Sequence, residues 1–349
     1  MPAVLAAPET ETYSQYFQLQ KNYFPCIDLG AIKRGAEWKN TYPHPTFIKL
    51  LEKAEQILNG SSTKGLWIYG PYGTGKSQCL LALRRILERP AQEVQEYWDR
   101  FQELKEGRKD LLQKFLGLKS RQKMVIAFRY GSGEIGDTTN LCLAFEESIS
   151  QALREAGCSY FGNATSRERL IEKLSDPPYA SIVERQLSQS PWCNLFSQST
   201  AAEILDDLRQ GEDTGSLVRN LVELLRQEEE IFMAPSVDSL TAWMREVIAR
   251  NGIQLVFLWD EFSSYMNRNA KSLDSLQKIA ALAQEGNFFL TIVTHHAASE
   301  ESQGNPIQDR FERVGIDMPE NVAFHLIANA LHLLPEKASE FNEDIKTLR

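Results

Sequence analysis

The residues best suited to chemistry lie in the glycine-rich segment GPYGTGKS, Gly70–Ser77. Glycines let the backbone N–H groups approach a phosphate closely, because no Cβ stands in the way. In such a loop the lysine reaches the β- and γ-phosphates and the serine hydroxyl binds Mg²⁺, here Lys76 and Ser77. The segment predicts a site for a nucleoside triphosphate and Mg²⁺, with these nucleotide contacts: Gly70, Pro71, Tyr72, Gly73, Thr74, Gly75, Lys76, Ser77 and Gln78.

The flanking residues support this interpretation. The apolar run Leu66–Tyr69 predicts a strand that leads into the loop, and Lys76–Leu87 has the apolar spacing of a helix. A helix here adds N-terminal amides and the positive end of its dipole to the phosphate site. Strand, loop and helix in this order are what a phosphate-binding loop requires, and an isolated glycine turn needs neither neighbour.

A second acidic element follows the apolar strand predicted at Ile253–Leu258. Asp260 is placed to hold the Mg²⁺ together with Ser77, and Glu261 to act as the general base that activates water. The competing interpretation is a simple cap between a strand and a helix.

Charge and composition exclude several classes of function. A net charge of −9 argues against broad coating of nucleic acid, because that binding depends on phosphate neutralisation. One stretch differs, since Lys105–Lys123 holds seven basic residues against two acidic ones. This is either a solvated helix face or a local nucleic-acid contact.

No apolar run has the length of a membrane span, and five cysteines without a CxxC pair suit a reducing compartment, so we expect a cytoplasmic protein without membrane contact.

Strands alternate with helices along the chain, which predicts an α/β fold with a mainly parallel sheet. Besides the two strands above, strands are predicted at Met124–Phe128, Phe288–Val293 and Val314–Met318. A helix capped by Thr46 is predicted after the two prolines Pro43 and Pro45, and Gln92–Leu118 is a long amphipathic segment. Further helices are predicted over Asn140–Ala156, Ser216–Phe232 and Val237–Ala249, and after Pro319. The predicted organisation is an N-terminal extension (1–45), a core (46–319) with helical insertions at about 91–120 and 158–250, and a short C-terminal helical lid (320–349).

Gly70–Ser77 resembles a Walker A motif, and Ile253–Glu261 resembles a Walker B motif with the extra glutamate of the ASCE division of P-loop ATPases. That division includes AAA+ proteins, origin-recognition-like ATPases and STAND switches. The resemblance implies a P-loop NTPase fold, a three-layer α/β/α sandwich. It also implies a strand between those of the two motifs, ending in a polar sensor that contacts the γ-phosphate or water. Thr294 is in the matching place, with His295 as the second choice.

The segment DRFER, Asp309–Arg313, resembles the arginine pattern that AAA+ proteins carry before their last core strand. The resemblance implies that Arg310 is an arginine finger offered to a neighbouring subunit in a homo-oligomeric ring or filament, with Arg313 as the substitute. A surface ion pair of Arg310 with Asp309 or Glu312 is the competing interpretation.

The resemblance implies an AAA+-like ATPase that uses ATP and Mg²⁺. ATP is preferred to GTP because the sequence lacks the NKxD motif that is typical of guanine-selective proteins. Segments such as LWIYGPYGTGKS and VFLWDEFSSY resemble those of the large ATPases of bacterial antiphage systems of the BREX or RADAR kind. This resemblance implies a motor or assembly module with a protein effector partner. Two alternatives share the same Walker residues: a STAND-like switch with slow hydrolysis, and an ATPase stimulated by nucleic acid.

Overall fold

The computed structural model describes residues 15–19, 38–133, 135–162, 165–210, 214–228, 235–269, 273–295, 306–317, 324 and 331–347. The strands are β1 (Phe17–Leu19), β2 (Gly65–Tyr69), β3 (Lys123–Tyr130), β4 (Ile253–Asp260), β5 (Phe288–Thr294), β6 (Phe311–Gly315) and β7 (Leu331–Leu333). The helices are α1 (Pro45–Leu58), α2 (Lys76–Glu88), α3 (Ala91–Arg100), α4 (Gln102–Lys105), α5 (Lys109–Arg121), α6 (Thr138–Glu155), α7 (Ser166–Leu174), α8 (Pro177–Leu187), α9 (Ala201–Gln210), α10 (Gly215–Glu228), α11 (Val237–Asn251), α12 (Ser263–Arg268), α13 (Asp274–Ala281) and α14 (Ala338–Thr347).

The main sheet has five parallel strands in the order β3-β4-β5-β2-β6. Every residue of β4 and of β5 is buried, as expected for strands covered on both faces. Because neighbouring parallel strands are joined by crossovers, helices lie on both faces of the sheet. The expected α/β class and its parallel sheet are therefore confirmed.

Alternate side chains of the strands enter two different apolar layers. Trp67, Leu255 and Ile292 pack with residues of α6, α11 and α13 on one face. Leu66 and Val256 pack on the other face with residues of α1, α2, α3 and α5. This alternation is the two-residue period of a strand, and it creates three layers with the sheet in the middle.

The helices α7 to α10 form a small core of their own, which includes Leu170, Val183, Ile204 and Leu221. Leu143 of α6 joins this core and connects it to the main layer. The predicted insertion at 158–250 therefore has two parts, because α11 packs on the sheet rather than with α7 to α10.

The helical segment predicted at about 91–120 is divided into three helices, α3, α4 and α5. Phe101 has an extended backbone, with φ −116° and ψ 125°, and its ring is buried. Trp98 donates a hydrogen bond from its indole to the Arg108 carbonyl at 3.0 Å, which holds the chain folded back. Long-range packing has overridden local helix propensity here. All three helices pack in the same layer as α2, so the segment belongs to the core.

Two predictions at the C-terminal end need correction. The last core strand is Phe311–Gly315 rather than Val314–Met318, because Phe311 pairs with Gly65 and Gly315 with Tyr69. The region after Pro319 is not wholly helical either: β7 pairs antiparallel with β1, so residues of the predicted N-terminal extension join those of the predicted lid. Among the helices described, none is long and apolar enough to cross a membrane.

Candidate functional site

The glycine-rich loop leaves β2 at the carboxyl edge of the sheet and leads into α2. Gly73 and Gly75 have φ of 77° and 85°, in the left-handed region that glycine enters at little cost. Gly70 is required for a different reason: a Cβ there would lie 2.2 Å from the carbonyl oxygen of Ile316. Ile316 is itself fixed, since its N–H donates to the Tyr69 carbonyl at 2.7 Å. The loop shape therefore depends on β6 as well as on its own glycines.

Lys76 lies at the first turn of α2 and is 6% exposed. Its Nζ donates to the Pro71 carbonyl at 2.7 Å, and the Thr74 hydroxyl donates to the same carbonyl at 2.9 Å. Burial lowers the pKa of Lys76, and the charges of Glu261 and Asp260 oppose that effect. The loop thus holds a buried cation next to two carboxylates, where an anionic ligand would gain much from it.

Ser77 and Asp260 meet although they come from distant parts of the chain. Asp260 ends β4 and is 1% exposed, and the Ser77 side chain lies close enough to it to influence its pKa. Burial raises the pKa of Asp260 from 3.8 to about 6; the Ser77 hydrogen bond lowers it and the charge of Glu261 raises it. A hydroxyl and a buried carboxylate are oxygen ligands of the type that Mg²⁺ prefers. The two residues therefore fit the expected metal site.

Glu261 is the one non-glycine residue with positive φ in the part of the chain that the structure describes, at 55°. Such a conformation costs about 1–3 kcal/mol and persists only where the surroundings enforce it. Three contacts do so: its N–H donates to the Asp260 carboxylate at 2.9 Å, its carbonyl accepts from the Ser132 hydroxyl at 3.0 Å, and the next N–H, of Phe262, donates to Val293 at 2.8 Å. The turn therefore has a fixed backbone at Glu261.

The Glu261 carboxylate contacts His295, with 2.8 Å between Oε2 and Nε2. The His295 ring stacks on the ring of Tyr72 in the glycine-rich loop, with centroids 3.7 Å apart. The sequence indicates His295 only as a second choice and does not indicate its contact with Tyr72. The sequence does contain one indication of this arrangement. Thr294 and His295 are consecutive polar residues at the end of β5, and consecutive residues of a strand point to opposite faces of the sheet.

Thr294, the preferred sensor candidate, contacts a residue of the neighbouring strand β2. It is 4% exposed, and its hydroxyl accepts a hydrogen bond from the Trp67 indole at 2.8 Å. The polar side chain that the end of β5 places against Glu261 is therefore His295. Gln78 faces away from the loop, because its amide donates to the Thr41 hydroxyl at 2.9 Å.

Arg310 ends a short 3-10 helix, Pro306–Arg310, immediately before β6. Because β6 runs parallel to β2 and Phe311 lies opposite Gly65, Arg310 is at the amino edge of the sheet. The loop is at the carboxyl edge, about 15 Å away along the strands, so Arg310 does not reach the loop of its own chain. Glu312 pairs with Lys53 at 3.6 Å, and the described residues show no ion pair of Arg310 with Asp309 or Glu312.

The basic stretch Lys105–Lys123 is largely engaged in contacts within the protein. Lys119 donates to the last carbonyls of α2, those of Ile86 at 2.9 Å and Leu87 at 2.6 Å. Other contacts join Arg108 to Glu52, Lys114 to Glu55, Arg121 to Asn59 and Lys123 to the Ala156 carbonyl. Most of this positive charge therefore serves helix packing.

Comparison of the chain with protein-family models, with curated proteins and with solved structures gives no match. The function is therefore inferred from the residues and geometry of this site.

Proposed function

We propose that the chain binds ATP with Mg²⁺ and hydrolyses the terminal phosphoanhydride bond. The observation that carries this proposal is that the end of the glycine-rich loop, with Ser77 and the buried Lys76, lies beside the buried carboxylate of Asp260. Together these residues form one cation and one pair of oxygen ligands at the end of a glycine-rich loop. This is the constellation that triphosphate binding with Mg²⁺ requires.

The strand order supports the resemblance to ASCE-type P-loop ATPases. That resemblance implies a strand between those of the two Walker-like motifs, and β5 lies between β2 and β4. The end of β5 carries the polar residue His295 next to Glu261. The three-layer arrangement is also what the resemblance implies.

In the proposed reaction Lys76 and the loop amides hold the phosphates, and Ser77 and Asp260 hold the Mg²⁺, which neutralises charge on the phosphates. Glu261 takes a proton from the attacking water. The oxygen of that water bonds to the γ-phosphorus, the bond from this phosphorus to the bridging oxygen breaks, and the products are ADP and phosphate.

An oligomer is part of the proposal because Arg310 is too far from the loop of its own chain. At the amino edge of the sheet it is available to a neighbouring subunit, where an arginine stabilises the charge that develops in phosphoryl transfer. Delivery from a neighbour would couple hydrolysis to assembly. Membership of a larger antiphage-type system remains a prediction from the sequence.

The test compares ATP turnover and ATP binding by the wild type, Glu261→Gln and Lys76→Ala. We expect Glu261→Gln to lower kcat by about 100-fold or more while it still binds ATP, because the general base is lost and the phosphate contacts remain. Lys76→Ala should lose ATP binding. Glu285→Gln is the matched control, since Glu285 is a surface carboxylate paired with Arg245 at 2.8 Å.

Wild-type protein that neither binds nor hydrolyses ATP would refute the proposal, and so would full turnover by Glu261→Gln. Tight ATP binding without turnover by the wild type would instead favour the switch. The nucleic-acid alternative receives no support from the contacts of Arg108, Lys114 and Lys119.

A further inference from the structure

Three side chains from three different elements form a continuous chain of contacts in the site. Tyr72 belongs to the glycine-rich loop, His295 follows β5, and Glu261 follows β4. The Tyr72 and His295 rings are stacked at 3.7 Å with 23° between their planes, and His295 Nε2 lies 2.8 Å from Glu261 Oε2. The loop is thereby connected physically to the carboxylate assigned as general base.

The contact with Glu261 determines how the imidazole is used. Because a carboxylate accepts hydrogen bonds, His295 donates to it from Nε2. The other ring nitrogen, Nδ1, is buried and has no hydrogen-bond partner among the described residues. The backbone of His295 is fixed as well, since its N–H donates to the Ser263 hydroxyl at 2.9 Å. Among the residues that the structure describes, Glu261 is therefore the single polar attachment of this ring.

Glu261 is held at both ends in this arrangement. Ser132 fixes its left-handed backbone by donating to its carbonyl at 3.0 Å, and His295 fixes Oε2. The second carboxylate oxygen, Oε1, is then left to accept a proton from water. A carboxylate that is restrained in this way is more often in the orientation from which it can accept the proton.

Tyr72 is 79% exposed, which is unusual for a large aromatic ring, and His295 is the aromatic side chain stacked on it. Tyr72 lies between Gly70 and Gly73, and Lys76 Nζ is 5.8 Å from its ring centroid. Any rearrangement of the loop around a phosphate must therefore also move or fix the ring on which His295 rests.

We propose that His295 is a positioning residue for Glu261, and that Tyr72 couples the state of the phosphate loop to His295. This inference rests on the proposed ATPase function. It differs from a sensor role, in which the residue after β5 acts by touching the γ-phosphate, because the partner assigned to His295 here is the base itself.

The experiment measures kcat and KM for ATP with His295→Ala, His295→Gln, Tyr72→Phe, Tyr72→Ala and the double variant His295→Ala/Tyr72→Ala. We expect His295→Ala to lower kcat about 10- to 100-fold with KM changed less than about twofold. His295→Gln should recover part of the loss, since its amide also donates a hydrogen bond. His332→Ala, which changes an exposed histidine in β7, is the matched control and should match the wild type.

Tyr72→Ala should lower kcat about 3- to 10-fold, and Tyr72→Phe should lower kcat less than Tyr72→Ala does, because the stacked ring remains. In the His295→Ala background Tyr72→Ala should have no further effect on kcat, since Tyr72 acts through His295. Thermal unfolding of each variant, with activity expressed per folded molecule, separates positioning from loss of fold.

Three results would overturn the inference while leaving the ATPase function intact: wild-type kcat in His295→Ala, a change confined to KM, or additive effects of the two alanine substitutions. A wild-type protein without ATP binding or turnover would overturn the function first, and the inference with it.

Discussion

Replacing Asp260 with asparagine should stabilise the protein in the absence of nucleotide and Mg²⁺ at neutral pH. Asp260 is 1% exposed, and burial is the main reason that its pKa rises from 3.8 to about 6. This rise corresponds to about 3 kcal/mol, at about 1.4 kcal/mol for each tenfold change in proton affinity. Asparagine avoids this cost because it carries no charge, and its carbonyl oxygen can still accept the hydrogen bond from the Glu261 N–H.

The pH dependence follows from the sign of the change. The folded protein holds the Asp260 proton more tightly than the unfolded chain, so the ionised carboxylate disfavours folding. That cost is absent below about pH 4, grows between about pH 4 and pH 6, and is complete above about pH 6. The gain from asparagine should therefore be about 3 kcal/mol near pH 7.5 and roughly half of that near pH 5.

The assay is denaturant or thermal unfolding of both proteins with a chelator present, at the two pH values. For a chain of this size the gain corresponds to a rise in Tm of roughly 3–6 °C near pH 7.5. Asp238→Asn is the matched control, since Asp238 is a surface residue with 84% of its side chain exposed, and it should show no such gain. With ATP and Mg²⁺ added, the wild type should be stabilised and Asp260→Asn should lose that response. A gain that is absent, or larger near pH 5 than near pH 7.5, would refute the reasoning.

Two further predictions concern the loop and the assembly. Gly70→Ala should abolish ATP binding and lower Tm, because its Cβ would lie 2.2 Å from the Ile316 carbonyl oxygen. Gly117→Ala is the control, since an added Cβ there has nothing within 4 Å. ATP titration and thermal unfolding test both variants. Arg310→Ala should lower kcat by about 1000-fold. Mixing the Arg310→Ala and Glu261→Gln proteins should restore part of the turnover. In a mixed oligomer, the Glu261→Gln subunit supplies an intact Arg310 to the site of an Arg310→Ala subunit, which has an intact Glu261. Mixtures that stay inactive, although mass measurements show that the subunits co-assemble, would contradict a finger acting in trans.

Elements whose signals lie within a few residues were predicted well. The strand before the loop begins one residue earlier than expected, at Gly65, and the helix after it ends one residue later, at Glu88. One local boundary differs from the prediction. Thr46 does not cap helix α1: the helix begins at Pro45, and His44 caps it by accepting from the Phe47 N–H at 3.3 Å. Burial lowers the pKa of His44 to about 4, so the neutral ring is available to accept.

The errors at the C-terminal end occur where contacts between distant segments determine the structure. The last core strand begins at Phe311 because β2, far earlier in the chain, supplies its hydrogen-bonding partners. The strand β7 exists through its pairing with β1, where Phe17 lies opposite Leu333. Hydrogen bonds between strands so far apart leave no local periodicity by which to recognise them.

The sequence alone determined which functional groups the glycine-rich loop carries, because they are contained in eight consecutive residues, Gly70–Ser77. It also indicated the alternation of strands and helices. The apolar residues of a strand or a helix repeat several times within that element, so the local sequence is enough to recognise it. Only the tertiary structure decided that Ser77 meets Asp260, that Glu261 takes a left-handed backbone, and that His295 rather than Thr294 faces it. These contacts depend on the order β4-β5-β2, which is set by packing and backbone pairing between segments far apart in the chain.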